Sequence, residues 1–224
     1  KIKRFLGGLM KLSKRLKSLA ALVSSDDIVA DIGCDHAYLD IYLVQNNIVP
    51  FTLACDINEK ALSNGIKNIK KYGLEDKITT RLSDGIELLN EDINTLIISG
   101  MGTSTIIKIL SNKNINQINK LIIESNNNHF LLRTYLTNHG FYISHESTIY
   151  DNGKYYINIV FLRGNKKYSA KELKYGPLLI NGNKDYYEYL YNKNKQIYEN
   201  IPKYKIIERI KLLKDIKYFK RLKK

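Results

Sequence analysis

The chain has 224 residues and a formal net charge of +14 at pH 7, enough length for one ordinary domain with a smaller appendage but not for two large domains. Hydrophobic residues make up 44%, so a packed core is feasible; no apolar run reaches the ~18 residues of a membrane span, and Lys1 to Met10 is too poor in apolar side chains for a signal peptide. The two cysteines, Cys34 and Cys55, exclude a disulfide framework and fit no zinc spacing, so they read as reduced core residues of a cytoplasmic protein without a metal.

A periodic segment follows Met10, which places the native start there and leaves residues 1–9 as an extraneous leader. Short apolar runs then suit buried strands at Ile28–Ile32, Phe51–Ile57, Ile78–Leu82, Thr95–Ser99 and Leu121–Glu124. Helical patterns lie between or after them, at Ala37–Gln45, Glu59–Tyr72, Thr103–Leu110 and His129–Asn138. Strands alternating with helices predict right-handed crossovers and a mostly parallel α/β sheet. Phe141–Tyr150, the turn Asp151-Asn152-Gly153 and Tyr155–Leu162 predict a closing antiparallel hairpin, because Asn-Gly adopts positive φ readily.

Composition shifts near Gly164, which sets the expected domains at 10–164 and 165–224. Tyr187, Leu190, Asn194, Ile197 and Ile201 form a heptad-like seam, Pro202 interrupts it, and Ile206, Ile210, Leu213, Ile216 and Phe219 resume helical spacing. The prediction is a helical hairpin resembling a short coiled coil. Charge follows the same division. Residues 1–17 carry seven basic and no acidic side chains, residues 18–164 carry 12 basic and 16 acidic, and residues 165–224 carry 17 basic and 6 acidic. The Lys, Asn, Ile and Tyr bias of an AT-rich genome would act evenly, so it does not explain an acidic middle between basic ends. A localised basic surface attracts polyanions through phosphate neutralisation and counterion release; a merely solvated charged helix is the plainer alternative.

Four turns carry the chemistry. Strand Ile28–Ile32 contains Asp31, followed by Gly33, Cys34, Asp35 and His36 before a helix. The next strand ends in Asp56-Ile57, the third leads into Ser83-Asp84-Gly85, and the fourth into Ser99-Gly100-Met101-Gly102. Each alone reads as a turn or cap, but the ordered set lies at strand C-termini, where open α/β sheets bind ligands. Asp56 is placed to accept hydrogen bonds from ribose hydroxyls, and Asp84 to meet an adenine amino group. A pyrophosphate would favour a glycine-rich cradle of amides, whereas carboxylates suit the amino group and sulfonium of S-adenosylmethionine (SAM). Asp35 stands where many dinucleotide-binding loops have a second glycine, which weakens the alternative of an NAD(P)-dependent oxidoreductase. A non-enzymatic RNA-binding protein would explain the basic ends but not the four turns.

Leu12-Ser13-Lys14-Arg15-Leu16, Asp31-Ile32-Gly33-Cys34-Asp35-His36-Ala37-Tyr38-Leu39, Ser99-Gly100-Met101-Gly102, Asp151-Asn152-Gly153-Lys154-Tyr155-Tyr156 and Gly176-Pro177 resemble the bacterial TrmK family, tRNA methyltransferases acting on N1 of adenine 22. The resemblance runs from about Met10 to the C-terminus. It implies a class I SAM-dependent, Rossmann-like methyltransferase domain followed by a C-terminal α-helical hairpin. The implied SAM pocket uses Asp31, Gly33, Cys34, Asp35, His36, Asp56, Ile57, Asp84, Gly85, Gly100 and Met101. Asp35, His36 and Asn126 are the candidates for the reacting centre. Lys14, Arg15, Lys193, Lys195, Lys203 and Lys205 are the candidates for RNA contact, with tRNA the partner and a monomer the expected state. Two departures stand out: Cys34 replaces the usual serine, and Thr103 replaces a further glycine after Gly102.

Overall fold

The computed structural model describes residues 8–89 and 92–223, so the expectation of a leader over residues 1–9 lies largely outside the described residues. The chain divides into two compact units between Ser169 and Ala170. The first is a seven-stranded sheet with helices on its faces. Its strands are β1 (Val29–Ile32), β2 (Thr52–Asp56), β3 (Ile78–Leu82), β4 (Thr95–Met101), β5 (Lys120–Ser125), β6 (Phe141–Asp151) and β7 (Lys154–Arg163). Its helices are α1 (Lys14–Ala20), α2 (Tyr38–Gln45), α3 (Glu59–Tyr72), α4 (Thr103–Leu110) and α5 (His129–Asn138), with a 3-10 turn at Lys113–Gln117.

The strand order is β3-β2-β1-β4-β5-β7-β6. The pairs among β1 to β5 are parallel, and β7 runs antiparallel between β5 and β6. Every residue of β1 and β2 is buried, the signature of strands covered on both faces. The β6–β7 connection is the expected two-residue turn, with Asn152 at φ +48° and Gly153 at φ +81° between paired Asp151 and Lys154. Local signals set the helix ends. Ser13 caps α1 by accepting from the Leu16 amide, Asn58 caps α3 through the Ala61 amide, and Gly73 closes α3 in the left-handed region.

The direction reversal in the sheet matters most for function. From β1 the chain proceeds outward through β2 to β3, then returns to place β4 on the other side of β1. The loops after β1 and β4 therefore diverge to opposite faces and leave a crevice at the strand C-termini.

The second unit comprises α6 (Ala170–Tyr175), α7 (Lys184–Asn200) and α8 (Ile206–Leu222). Helices α7 and α8 form the hairpin read from the heptad-like seam. Its core is local: Tyr187 is fully buried, Phe219 nearly so, and their rings stack with centroids 5.9 Å apart. The Tyr175 hydroxyl donates to Asp215 Oδ1 at 2.7 Å, and the Tyr187 hydroxyl to the Tyr175 carbonyl at 2.8 Å. Toward the α7–α8 connection the seam opens, and Ile197, Ile206 and Ile210 are exposed. Helical spacing identified one face of α8 but not where a neighbour covers it.

Candidate active site

A cleft of about 530 Å³ opens at the C-terminal ends of β1, β2, β3 and β4. All eleven residues expected to form the SAM pocket line it, so Asp31, Asp56 and Asp84 face one shared space rather than separate surfaces. Arg15 from α1 and Lys108 from α4 also line it.

The loop after β1 is built by backbone bonds. The Gly33 and Cys34 amides donate to the Cys55 carbonyl at 2.8 and 2.9 Å, and the Asp35 amide donates to Asp56 Oδ2 at 3.0 Å. Asp56 Oδ1 accepts from the Asn58 amide at 2.8 Å, so this carboxylate holds two turns while remaining at the cleft wall. Gly33 (φ +80°), Asp35 (φ +49°) and Ala37 (φ +53°) all adopt left-handed backbone, which turns the chain sharply into α2. Gly65 in α3 allows that helix to approach: a Cβ there would lie 3.2 Å from the Asp35 carbonyl. Cys34 is buried in the wall of the cleft.

Asp31 is buried, and burial raises its pKa well above the ordinary carboxylate range. The charge of Asp40 adds to that rise, as does the charge of Asp56, while Arg15 opposes it. Asp40 lies fully buried on α2, neither carboxylate oxygen has a hydrogen-bond partner among the described residues, and burial pushes its pKa up to about 7. Two buried carboxyls whose charges repel would both be relieved by a nearby cation. The arrangement suits a ligand bearing an ammonium or sulfonium and disfavours a phosphate.

At the cleft rim, Asp84 pairs with Lys108 at 3.2 Å. His36 stacks on Tyr38 with centroids 5.2 Å apart and lies 3.7 Å from Asp35 Oδ2. The backbone of β4 bulges between Ser99 and Met101, with Gly100 at φ +76°. Asn126 does not line the cleft. Its side chain donates to the Gly100 carbonyl and its amide to the Met101 carbonyl at 2.8 Å, so it braces the bulge from outside. Thr103, the second departure from the family pattern, is buried with its hydroxyl 2.8 Å from Ser125 Oγ and 2.6 Å from the Asn127 carbonyl. A glycine there would leave that junction to other donors.

Sequence reading missed Glu124 and Asp40. Glu124, at the end of β5, is fully buried and accepts from Arg15 Nη1 through both oxygens at 3.1 Å. Burial raises its pKa, opposed first by Arg15 and further by a hydrogen bond with the Gly100 backbone. Arg15 also lies over the Tyr156 ring at 5.5 Å, and its amide donates to Asp151 Oδ2 at 3.1 Å. Helix α1, the cleft floor and the β6–β7 hairpin are thereby tied together. Lys14, beside Arg15, is exposed, as are Lys193, Lys195, Lys203 and Lys205 in the second unit.

A seven-stranded sheet of this order, with a carboxylate-lined cleft at its switch point, defines a class I SAM-dependent methyltransferase. A methyltransferase-domain family model matches residues 12–159. Among solved structures, Mycoplasma capricolum TrmK in complex with S-adenosyl-homocysteine is 34% identical, with a TM-score of 0.82 over 94% of this chain and 96% of that one. A Streptococcus agalactiae protein described as belonging to the NADB-Rossmann superfamily is 32% identical, with a TM-score of 0.88 over 96% of this chain and 99% of that one. The Bacillus subtilis tRNA (adenine(22)-N(1))-methyltransferase is 29% identical over 160 residues, 70% of this chain and 67% of that protein. The chain belongs to the TrmK family of methyltransferases.

Proposed function

We propose that this protein transfers a methyl group from SAM to N1 of adenine 22 in tRNA, acting as a monomer in the cytoplasm. The cleft carries the reading: three carboxylates at adjacent strand tips suit a positively charged nucleoside, and kinship to the Bacillus subtilis enzyme supplies the target base. Asp31 would hold the amino group of SAM, Asp56 the ribose hydroxyls, and Asp84 the adenine amino group. Bound SAM supplies an electrophilic methyl group on a sulfonium.

Adenine N1 already carries a nucleophilic lone pair, so the residues mainly have to orient and desolvate it; orientation can lower a barrier by roughly 7–11 kcal/mol at the extreme. A paired or stacked target must first be extruded, costing a few kcal/mol. The N1–carbon bond forms as the sulfur–carbon bond breaks, leaving a cationic purine. Asp35, whose side chain is solvent-facing at the cleft, would balance that charge or take the N6 proton, with His36, 3.7 Å from it, as the second candidate. Asn126 would act indirectly, by fixing the Gly100 bulge. Lys14 and the basic second unit supply charge for tRNA phosphates.

Incubation with labelled SAM and unmodified tRNA, followed by nucleoside mass spectrometry and mapping, should place 1-methyladenosine at position 22. Its absence from tRNA that the Bacillus subtilis enzyme modifies in parallel would refute the assignment.

A further inference from the structure

The α7–α8 hairpin is closed at one end and open at the other. Around the connection, Tyr204 is 78% exposed, Ile206 64% and Ile207 67%, with Ile197 and Ile210 also exposed. All five lie within about two helical turns of that connection. Exposed large apolar side chains concentrated around one connection of an otherwise strongly charged unit mark a candidate binding surface.

The connection is held in place. Arg209 Nη1 donates to the Tyr198 and Ile201 carbonyls at 3.0 and 2.9 Å, and its guanidinium lies 4.0 Å from the centroid of the Tyr198 ring. Arg209 therefore caps the end of α7 from within, satisfying carbonyls that the helix leaves open. Tyr204 projects from a braced loop, flanked in sequence by the exposed Lys203 and Lys205.

We infer that this tip is a base-contacting platform for tRNA: the Tyr204 ring stacks on an unpaired base, the isoleucines pack against its sugar and neighbour, and Lys203 and Lys205 hold the adjoining phosphates. This rests on the proposed tRNA substrate and goes beyond it by assigning apolar contacts to a region otherwise expected to act through charge. Charge complementarity selects the occupant. The surrounding residues 165–224 carry 17 basic and 6 acidic side chains, which repels a second copy of the same surface and attracts a polyanion. The apolar groups gather at one end rather than along a helix, unlike a helix lying flat on a bilayer. Folded RNA offers both partners at once, phosphates beside splayed bases.

The chain contains no tryptophan, so Tyr204→Trp creates a single fluorescent reporter. Unmodified tRNA should quench it. Tyr204→Ala should raise KM for tRNA about 5- to 150-fold, the range of one lost stacking contact, and Ile207→Ser about 5-fold, with SAM affinity and kcat within twofold. Their salt dependence of binding should match that of the unaltered protein, whereas Lys203→Gln and Lys205→Gln should each lower the log–log slope by about one. Unchanged fluorescence on binding tRNA, or unchanged KM in both apolar variants while the unaltered protein methylates tRNA, overturns this inference and leaves the proposed function standing. A response to phosphatidylglycerol vesicles but not to tRNA, or concentration-dependent self-association lost in Ile207→Ser, also overturns it. Failure of the unaltered protein to methylate tRNA overturns both.

Discussion

The two units handle polar groups in opposite ways. The sheet unit buries them: Asp40, Glu124, Arg133 and Glu146 are withdrawn from solvent, and Asp31 is buried at the cleft wall. Arg133 and Glu146 meet at 2.7 Å, and Arg15 reaches Glu124 from the cleft. The hairpin unit keeps nearly all its charges in water, and among its described residues only Leu179, Tyr187 and Phe219 are buried hydrophobics. A buried charge must be positioned and compensated, so it demands a large, over-determined core. An electrostatic surface needs only a scaffold that spaces its lysines. Selection of one small cationic cofactor belongs to the first arrangement, and grip on an extended polyanion to the second.

Truncation after Ser169 tests that division most severely. The shortened protein should bind SAM within about threefold of the full chain by calorimetry, yet methylate tRNA at least 100-fold less efficiently. The cut falls after Ser169 because the Tyr168 hydroxyl, which accepts from the Ile143 amide at 2.9 Å, belongs to the sheet unit. Equal methylation efficiency would collapse the distinction.

Inside the sheet unit, Asp31→Asn should weaken SAM binding about 10- to 100-fold, the cost of losing a charge-assisted partner in a buried site. Because Asp31 and Asp40 titrate high, SAM affinity should rise as pH increases from about 5 to 8, and binding near pH 6 should release protons, measurable by calorimetry in buffers of different ionisation enthalpy. An affinity flat across that range would show that the cation is held elsewhere.

Glu124→Gln keeps the shape but removes the charge facing Arg15. A three- to tenfold fall in kcat with SAM affinity nearly unchanged would mark Glu124 as a positioning residue for the cleft floor.

The smallest effect concerns stability. Below about pH 4 both folded and unfolded chains keep Asp40 protonated. As pH rises toward 7 the unfolded chain releases that proton first, so burial of Asp40 disfavours folding increasingly until its folded pKa of about 7 is passed. Asp40→Asn should therefore leave Tm unchanged near pH 4 and raise it by roughly 3–6 °C at pH 8. A gain independent of pH would point to packing rather than titration.

Most of the sheet was legible because its signals are local. Apolar runs, the Asn-Gly turn and glycines after strands each reflect conformational preferences expressed within a few residues. The ordered carboxylates at the C-terminal ends of β1, β2 and β3 could also be read, since parallel topology carries successive strand ends to one edge. Asp40 was not legible. A lone acidic residue within Tyr38–Gln45 gives no sign that it is fully buried within reach of the Asp31 charge. Glu124 escaped for a similar reason, as its partner Arg15 lies 109 residues away. The bond from Asn126 to the Gly100 carbonyl was equally invisible, because it joins strand ends 26 residues apart.

The sequence by itself determined the alternation of strands and helices, the hairpin turn, the identity of the cleft carboxylates and the contrast in charge between the two regions. These follow from side-chain chemistry and short-range periodicity. Only the tertiary structure decided which carboxylates are buried together, that α1 closes the cleft through Arg15, and that the helical seam is open around Tyr204. Each of those depends on which distant segment excludes water from a given side chain, and no local pattern encodes that.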